Sequence, residues 1–151
     1  ARIAADPAGF VASLVDREAT GEPIALPDGS TVARLPGYLR WMWDGEFCGS
    51  IGLRWQRGTE ALPPTCPGHV GYAVVPWKRR LGYATSALRQ ILPEARSEGL
   101  AWIEVTTDPD NVASQRVIEA SGGVLVERYA KPPQLGGGPG LRYRIDLAPR
   151  A

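Results

Sequence analysis

The chain has 151 residues, which is enough for one domain with a core between two packed layers. Its 17 basic and 16 acidic residues give a net charge of +1, which argues against the basic footprint of a nucleic-acid-binding protein and against a polybasic membrane patch. No apolar run approaches the roughly 20 residues that span a bilayer. We therefore expect one domain over residues 1–151, in a cytoplasmic protein without a nucleic-acid or membrane partner.

The first half of the chain is predicted to form a helix, a long loop and a β-hairpin. Apolar residues at helical spacing predict an amphipathic helix over residues 6–20. Turns rich in Gly and Pro punctuate residues 21–37, which indicates a loop. Strand-length runs at 38–43 and 47–55 flank Asp44-Gly45, a pair typical of a hairpin turn.

The second half alternates strands and helices. A Pro-rich loop at 58–67 precedes a strand at 69–75, which leads through a basic turn into a half-buried amphipathic helix closed by Gly99. The remaining elements are a strand at 101–107, a helix opened by the turn at 108–111 and closed by 122–123, a strand at 124–129, a loop at 131–140 and a strand at 141–147. This order predicts an α/β (α+β) domain with a central mixed, twisted sheet flanked by helices.

The stretch from Gly71 to Leu92 joins a strand to a helix and carries the clearest chemical signal. The first N–H groups of a helix have no partners in the chain and point together, so anions bind there. Lys78, Arg79 and Arg80 add positive charge, and Gly82 leaves the backbone open to a large phosphate group. The sequence therefore predicts an anion site at this junction.

Two motifs carry a family resemblance. The first is Arg79-Arg80-Leu81-Gly82-Tyr83-Ala84, preceded by Val74-Val75-Pro76, and the second is Asn111-Val112-Ala113-Ser114 at the start of the next helix. Together they resemble the GNAT superfamily of N-acetyltransferases, which transfer acetyl from acetyl-CoA to an amine. The stretches 69–72 and 110–123 are similar to a bacterial subgroup of predicted acetyltransferases. The resemblance implies a single-domain GNAT-like fold and acetyl-CoA as the co-substrate.

The resemblance also implies where the co-substrate binds. Backbone N–H groups from Arg79 to Ala84, with the Thr85 hydroxyl, correspond to the cradle for the CoA pyrophosphate. Val74 and Val75 correspond to the strand that bonds the pantetheine arm, and a strand N–H near Val75 to the oxyanion donor. The implied cofactor residues are Val74, Val75, Arg79, Arg80, Leu81, Gly82, Tyr83, Ala84, Thr85, Asn111 and Ser114.

The residues for proton transfer depart from the family pattern. Many GNAT relatives have Leu-Tyr in the second helix, where the tyrosine protonates the departing thiolate, but Val117-Ile118 stands there in this chain. Ser114 is the first substitute, ahead of Tyr129, Tyr143 and solvent. A base must also remove a proton from the amine, and an ordinary pKa near ~6.5 makes His69 the first candidate and Glu104 the second. The alternative for His69, which the pattern favours, is a polar residue at a strand start that bonds a backbone group, and for Glu104 it is the exposed side of an edge strand. The catalytic expectation is therefore His69, Glu104 and Ser114.

The functional expectation is an N-acetyltransferase that works by direct attack in a ternary complex, without a metal. Its acceptor would be a small-molecule or peptide amine, and the protein would be a monomer or homodimer. The alternative is a GNAT-type domain that binds acyl-CoA without turnover. Cys48 and Cys66 lack metal-like spacing and fit two free thiols as well as a disulfide pair. The first residues do not show the charged-then-apolar pattern expected of a leader, and the sequence begins with Ala1, so an upstream segment is an open expectation.

Overall fold

The computed structural model describes residues 2–147, so Ala1 and residues 148–151 of the expected domain lie outside the described residues. The helices are α1 (Arg2–Ala5), α2 (Pro7–Ala12), α3 (Tyr83–Ser97) and α4 (Val112–Ala120), with short 3₁₀ turns at Pro76–Lys78 and Pro133–Leu135. The strands are β1 (Val15–Asp16), β2 (Ile24–Ala25), β3 (Thr31–Val32), β4 (Gly37–Trp43), β5 (Phe47–Arg54), β6 (Val70–Val74), β7 (Trp102–Thr107), β8 (Val124–Ala130) and β9 (Pro139–Asp146).

The strands form two principal sheets. The first has the order β1-β4-β5-β6 and the second the order β7-β9-β8, while β2 and β3 make a small separate hairpin. Every ladder within these sheets is antiparallel. Helix α3 connects β6 at the edge of the first sheet to β7 at the edge of the second. The α/β fold class is thus confirmed, and its strands are divided between two sheets where one mixed sheet was expected.

The two sheets meet at a seam formed by residues 67–69 and 104–106. Gly68 and Val105 form an isolated bridge there, and the His69 N–H donates to the Glu104 carbonyl at 2.8 Å. A Cβ atom on Gly68 would lie 2.8 Å from that carbonyl oxygen, and Gly68 has φ of +132°. Glycine is therefore required at this close approach. Beyond the seam β6 and β7 diverge, which leaves a gap between the sheets.

The core lies between the sheets and the two longer helices. Leu88, Ile91 and Ala95 recur on one face of α3, and Ile118 is the buried residue of α4. They pack with alternate residues of the strands, among them Ile51, Leu53, Val70, Ile103, Val105, Leu141, Tyr143 and Ile145. Each fully buried Leu or Ile side chain contributes about 1.5–3 kcal/mol, so this core fixes where β6, α3 and α4 stand.

The N-terminal third differs most from expectation. The helix predicted over 6–20 ends at Ala12, and β1 follows as an added strand beside β4. The cause is local, because the Ser13 hydroxyl bonds the Phe10 carbonyl and the chain then turns towards Tyr38. The predicted loop at 21–37 contains the β2–β3 hairpin. The hairpin of β4 and β5, predicted around Asp44-Gly45, is confirmed.

Candidate active site

The junction between β6 and α3 presents a run of unpaired backbone donors. Arg80 and Gly82 have φ of +62° and +80°, so the chain curls before α3 begins at Tyr83. The first helical bond is from the Ser86 N–H to the Gly82 carbonyl, at 3.0 Å. Within the described part of the chain, the N–H groups of residues 80–85 donate to no protein acceptor. Successive free donors with alternating φ signs form a concave anion site at a helix N-terminus.

The acidic tip of the β4–β5 hairpin takes up part of the positive charge expected at this junction. Lys78 Nζ lies 2.9 Å from Asp44 Oδ2 and 3.2 Å from Glu46 Oε2. The Tyr83 hydroxyl also donates to Asp44. The hydrogen bond from Tyr83, with that from Lys78, holds the pKa of Asp44 well below its usual range. Lys78 and the Tyr83 side chain therefore brace the junction against the hairpin.

The two arginines of the motif differ in their surroundings. Arg79 Nε donates to the Val74 carbonyl at 3.1 Å, which fixes the turn against the end of β6. The Arg80 side chain is exposed and makes no ion pair with a described residue. Thr85 is half-buried in the first turn of α3. Of the basic cluster, Lys78 is therefore the residue whose charge is neutralised within the described chain, and the charges of Arg79 and Arg80 remain available for an anion.

Strand β6 offers one open backbone edge. The Val75 N–H donates to the Cys48 carbonyl at 2.9 Å, and the Arg54 N–H donates to the His69 carbonyl at 2.8 Å. In an antiparallel ladder such bonded residues alternate, so the backbone groups of Val70, Tyr72 and Val74 point away from β5 and towards the gap. The Val75 N–H is therefore occupied by the ladder, which leaves it unsuited to the oxyanion role expected for it.

A cavity of about 360 Å³ occupies the gap between β6 and β7. The Tyr72 hydroxyl lies 2.8 Å from Ser114 Oγ, and Asn111 Oδ1 caps α4 by accepting the Ser114 N–H at 3.1 Å. Burial raises the pKa of Tyr72, and the hydrogen bond with Ser114 opposes that rise in part. Asp108 and Lys131 form an ion pair of 2.7 Å in the lining. The cavity thus holds a neutral phenol–hydroxyl pair.

His69 lies inside the seam. Its side chain is fully buried, and Nδ1 accepts the Glu104 N–H at 2.9 Å. The proton of the neutral ring is therefore on Nε2, which is buried without a hydrogen-bond partner among the described residues, and the ring edge faces Trp102. Burial lowers the pKa of His69 and outweighs the opposing effect of the Glu104 carboxylate. This geometry leaves neither nitrogen free to accept a proton from an amine.

Glu104 is held by two arginines. Its carboxylate oxygens lie 2.9 Å from Arg144 Nη2 and 3.0 Å from Arg142 Nη1. Burial by itself would raise the pKa of Glu104, but the hydrogen bonds from Arg144 and Arg142 outweigh burial and lower it. A carboxylate stabilised in this way is a weak base. Neither Glu104 nor His69 lines the cavity between the sheets.

A family model described as an acetyltransferase (GNAT) domain matches residues 15–124, which is well over half of the chain. This chain belongs to the GNAT family of acetyltransferases. No curated protein sequence matches the chain.

Solved structures of acetyltransferases share the GNAT fold. The microcin C7 self-immunity acetyltransferase MccE, in complex with acetyl-CoA and AMP, has a TM-score of 0.61 at 14% identity over 73% of this chain and 61% of that chain. A mutant of the spermidine N-acetyltransferase SpeG from Vibrio cholerae has a TM-score of 0.60 at 13% identity, over 74% and 66%. An acetyltransferase from Bacillus subtilis in complex with CoA has a TM-score of 0.56 at 17% identity, over 74% and 78%.

These likenesses establish the fold alone, since the identities are low. The GNAT chain described here spans 61% to 66% of the length of the first five solved structures it matches. Within residues 2–147, no helix has the length and apolar character needed to cross a membrane. The same residues contain no group of three or more His, Cys, Asp or Glu side chains that could hold a metal ion. Cys48 and Cys66 are both free thiols.

The structure of this GNAT domain brings together some expected site residues and separates others. Asn111 and Ser114 line the cavity beside β6, Val74 ends that strand, and Val75 follows it. The loop at 79–85 forms the junction outside the cavity lining. Of the poorer candidates, Tyr129 lines the cavity. The buried Tyr143, in contrast, hydrogen-bonds to Glu119 at 3.1 Å.

Tyr72 is the lining residue that sequence reasoning did not select. It belongs to the stretch 69–72 that resembles bacterial acetyltransferases, and its partner Ser114 lies 42 positions later in the chain. Strand alternation puts Tyr72 on the same face as Val70 and Val74, which was the available signal. The contact with Ser114 depends on how α4 packs, so the sequence pattern alone did not reveal it.

Proposed function

We propose that this GNAT domain is an N-acetyltransferase that moves acetyl from acetyl-CoA to an amine by direct attack in a ternary complex. The observation that carries the proposal is the run of unpaired N–H groups at residues 80–85 beside the open edge of β6. A family fold accounts for a strand and a helix at this place. The helix leaves the N–H groups of residues 82–85 free, as any helix N-terminus does, and the turn before it adds those of Arg80 and Leu81.

The donor set fits the chemistry of CoA. The N–H groups of residues 80–85 and the exposed charge of Arg80 suit a pyrophosphate. The open N–H and C=O groups of Tyr72 and the open N–H of Val74 suit the amides of a pantetheine arm, which would lie along β6 like an added strand, while the Val74 carbonyl accepts the Arg79 Nε–H. Val75, Arg79 and Tyr83 then shape the turn. Leu81, Gly82, Ala84 and Thr85 contribute backbone, and Asn111 with Ser114 forms the far wall.

When bound, acetyl-CoA supplies a thioester carbonyl that is open to attack by an amine. In the net reaction an N–C bond replaces the C–S bond, and one proton passes from the amine side to the sulfur. We assign the proton donor to the Tyr72–Ser114 pair, because both hydroxyls line the cavity 2.8 Å apart. A phenol whose pKa is raised stays protonated at neutral pH and can give its proton to a thiolate.

For removal of the amine proton we propose solvent in the cavity. His69 and Glu104 were the sequence candidates, but the first is enclosed with Nδ1 occupied and the second is held by Arg142 and Arg144. Among the described lining residues Asp108 is the carboxylate, and it is paired with Lys131. The rate should therefore rise with pH as the free amine form of the acceptor accumulates.

Because His69 and Glu104 both have partners within the fold, the structure also favours an alternative, a domain that binds acyl-CoA without turnover. We further propose that residues 1–151 act as one domain in the cytoplasm, as a monomer or homodimer, on a small-molecule or peptide amine. The titration and turnover assays that follow separate the enzyme from the binding domain.

The first test is calorimetric titration with CoA and with acetyl-CoA, followed by thiol release from acetyl-CoA with a panel of amines. We expect binding in the micromolar range, typical of substrate affinities, and amine-dependent thiol release. Absence of binding at about 1 mM CoA would refute the cofactor site. Binding without thiol release for any amine would support the non-catalytic alternative.

A further inference from the structure

A second cavity, of about 500 Å³, lies on the other face of the first sheet and adjoins the cavity in the gap. Pro67 and Leu135 line both cavities. The second cavity is mainly apolar, with walls that include Leu14, Ile24, Leu26, Val32, Leu35 and Leu39. Gly52 and Gly71 are cross-strand partners at the boundary, so this part of the sheet carries no side chains. A volume of this size suits a small molecule.

Arg54 brings an unpaired positive charge to the boundary between the two cavities. Its Nε donates to the Gly68 carbonyl at 2.6 Å, which fixes the direction of the side chain. Its two terminal nitrogens lie 3.7 and 3.8 Å from where a Cβ of Gly71 would be, and Gly71 lines the gap cavity. Within the described residues no carboxylate pairs with Arg54. A half-buried guanidinium with two free terminal groups is suited to a bidentate carboxylate.

The described lining of the second cavity offers no free carboxylate that could bind an additional positive charge on an acceptor. Asp16 is the acidic residue in its described lining, and its carboxylate accepts the Thr20 and Gly21 N–H groups, each at 2.8 Å. Asp16 also faces Arg34, with 3.8 Å between Oδ2 and Nε. The backbone bonds from Thr20 and Gly21 lower the pKa of Asp16. This charge distribution does not favour a polyamine.

Building on the proposed function, we propose that the acceptor is an α-amino acid with an apolar side chain. Arg54 binds the carboxylate, and the apolar side chain enters the second cavity. Because one carbon separates the amine from the carboxylate of an α-amino acid, the amine then lies beside Gly71, at the edge of the gap cavity that holds Tyr72 and Ser114. There the free amine attacks the thioester carbonyl of acetyl-CoA, the N–C bond forms as the C–S bond breaks, and CoA leaves as the thiol with the proton that the amine loses.

The substrate test compares amino acids with the amines formed by removing their carboxylates. Thiol release from acetyl-CoA is measured for leucine against 3-methylbutylamine and for phenylalanine against 2-phenylethylamine, with spermidine and leucine amide alongside. We expect each amino acid to have a kcat/KM about 10–100-fold above its decarboxylated partner, as for one charge-assisted pair. Equal or higher values for the amines, with thiol release intact, would overturn the acceptor proposal and leave the proposed function standing.

The residue test uses Arg54→Met and Arg54→Lys, with Arg40→Met as the matched control on the neighbouring strand. Arg54→Met should raise the KM for leucine at least about tenfold, and its loss of kcat/KM should be at least about tenfold larger for leucine than for 3-methylbutylamine, which has no carboxylate. Arg54→Lys keeps the charge but loses the two-pronged guanidinium, so its KM for leucine should lie between those of the wild type and Arg54→Met. Arg40→Met should behave as wild type. Equal KM values for leucine in all four proteins would contradict the assignment of Arg54.

A binding readout independent of turnover comes from Cys66, a half-buried thiol in the wall of the second cavity. Leucine, in the presence of CoA, should slow alkylation of Cys66 by iodoacetamide, measured by mass spectrometry, whereas 3-methylbutylamine at the same concentration should not. Protection by leucine in a protein that releases no thiol would support the acceptor site and refute the proposed catalysis. Absence of protection at saturating leucine, in a protein that acetylates 3-methylbutylamine, would overturn the acceptor proposal alone.

Discussion

The seam between β6 and β7 and the junction between β6 and α3 differ in whether their polar groups have hydrogen-bond partners. At the seam, His69 and Glu104 exchange two hydrogen bonds, and the Glu104 carboxylate is held by Arg142 and Arg144. At the junction, the N–H groups of residues 80–85 find no acceptor in the described part of the chain. Both regions contain residue types associated with catalysis. Under the proposed function, the unsatisfied N–H groups of the junction mark the ligand site, and the catalytic residue types at the seam serve the fold.

The largest expected effect comes from filling the junction. Gly82→Trp places a large side chain at a φ of +80° in open space beside the unpaired N–H groups, so it should strain the turn and block an anion. We expect the affinity for CoA, measured by calorimetry, to fall at least about 100-fold, or about 2.7 kcal/mol.

Gly99→Trp is the matched control for that variant. Gly99 also has a left-handed φ, +91°, with no atom within 4 Å of a Cβ, and it follows the opposite end of α3. Gly99→Trp should strain the backbone about as much as Gly82→Trp does and leave the CoA affinity unchanged. Equal losses of affinity in both variants would show that the junction is not the binding site.

The second effect concerns stability at the seam. His69→Ala removes the acceptor for the buried Glu104 N–H and leaves a cavity in the core, so the free energy of unfolding should fall by about 2 kcal/mol. Chemical denaturation measures this loss. The affinity for CoA and the turnover per folded molecule should stay near wild type. A large fall in turnover at unchanged stability would restore His69 as the base.

The third effect concerns the proton donor. Tyr72→Phe keeps the ring and removes the hydroxyl that lies 2.8 Å from Ser114 Oγ. We expect kcat to fall about tenfold with the KM for acetyl-CoA unchanged, since a thiolate needs less help than a stronger base. Ser114→Ala should give a smaller loss. Wild-type kcat in the double variant would remove the pair from the mechanism.

The smallest effect is the pH dependence of the seam. The pKa of buried His69 is below its ordinary value, so between the two values the unfolded chain binds more protons than the folded one. Stability should therefore fall as the pH drops below about 6.5. The difference in unfolding free energy between wild type and His69→Ala should shrink over that range. A difference that is constant with pH would contradict the depressed pKa.

Local patterns were sufficient to predict much of the framework. The hairpin around Asp44-Gly45, the junction at Gly82 and the Asn111 cap of α4 depend on neighbouring residues, and all are present. The division into two sheets was not predictable, because it depends on the close approach of Gly68 to Glu104, which lies 36 positions later in the chain.

The side-chain partners in the candidate site are also long-range. Lys78 forms an ion pair with Asp44, which lies 34 residues earlier in the chain. The sequence therefore assigns the charge of Lys78 to the anion site, although the hairpin neutralises it. Tyr72 meets Ser114 over a separation of 42 residues. His69 is a residue type that can act as a base, but its burial at the seam lowers its pKa. Such partners are set by packing and cannot be read from spacing.

Backbone hydrogen exchange with and without CoA reports on the N–H groups of the junction themselves. We expect CoA to slow exchange of the amides of residues 80–85 at least about tenfold, while the amides of His69 and Glu104, already bonded within the seam, change little. Unchanged exchange at residues 80–85 under saturating CoA would show that CoA does not bind at the junction.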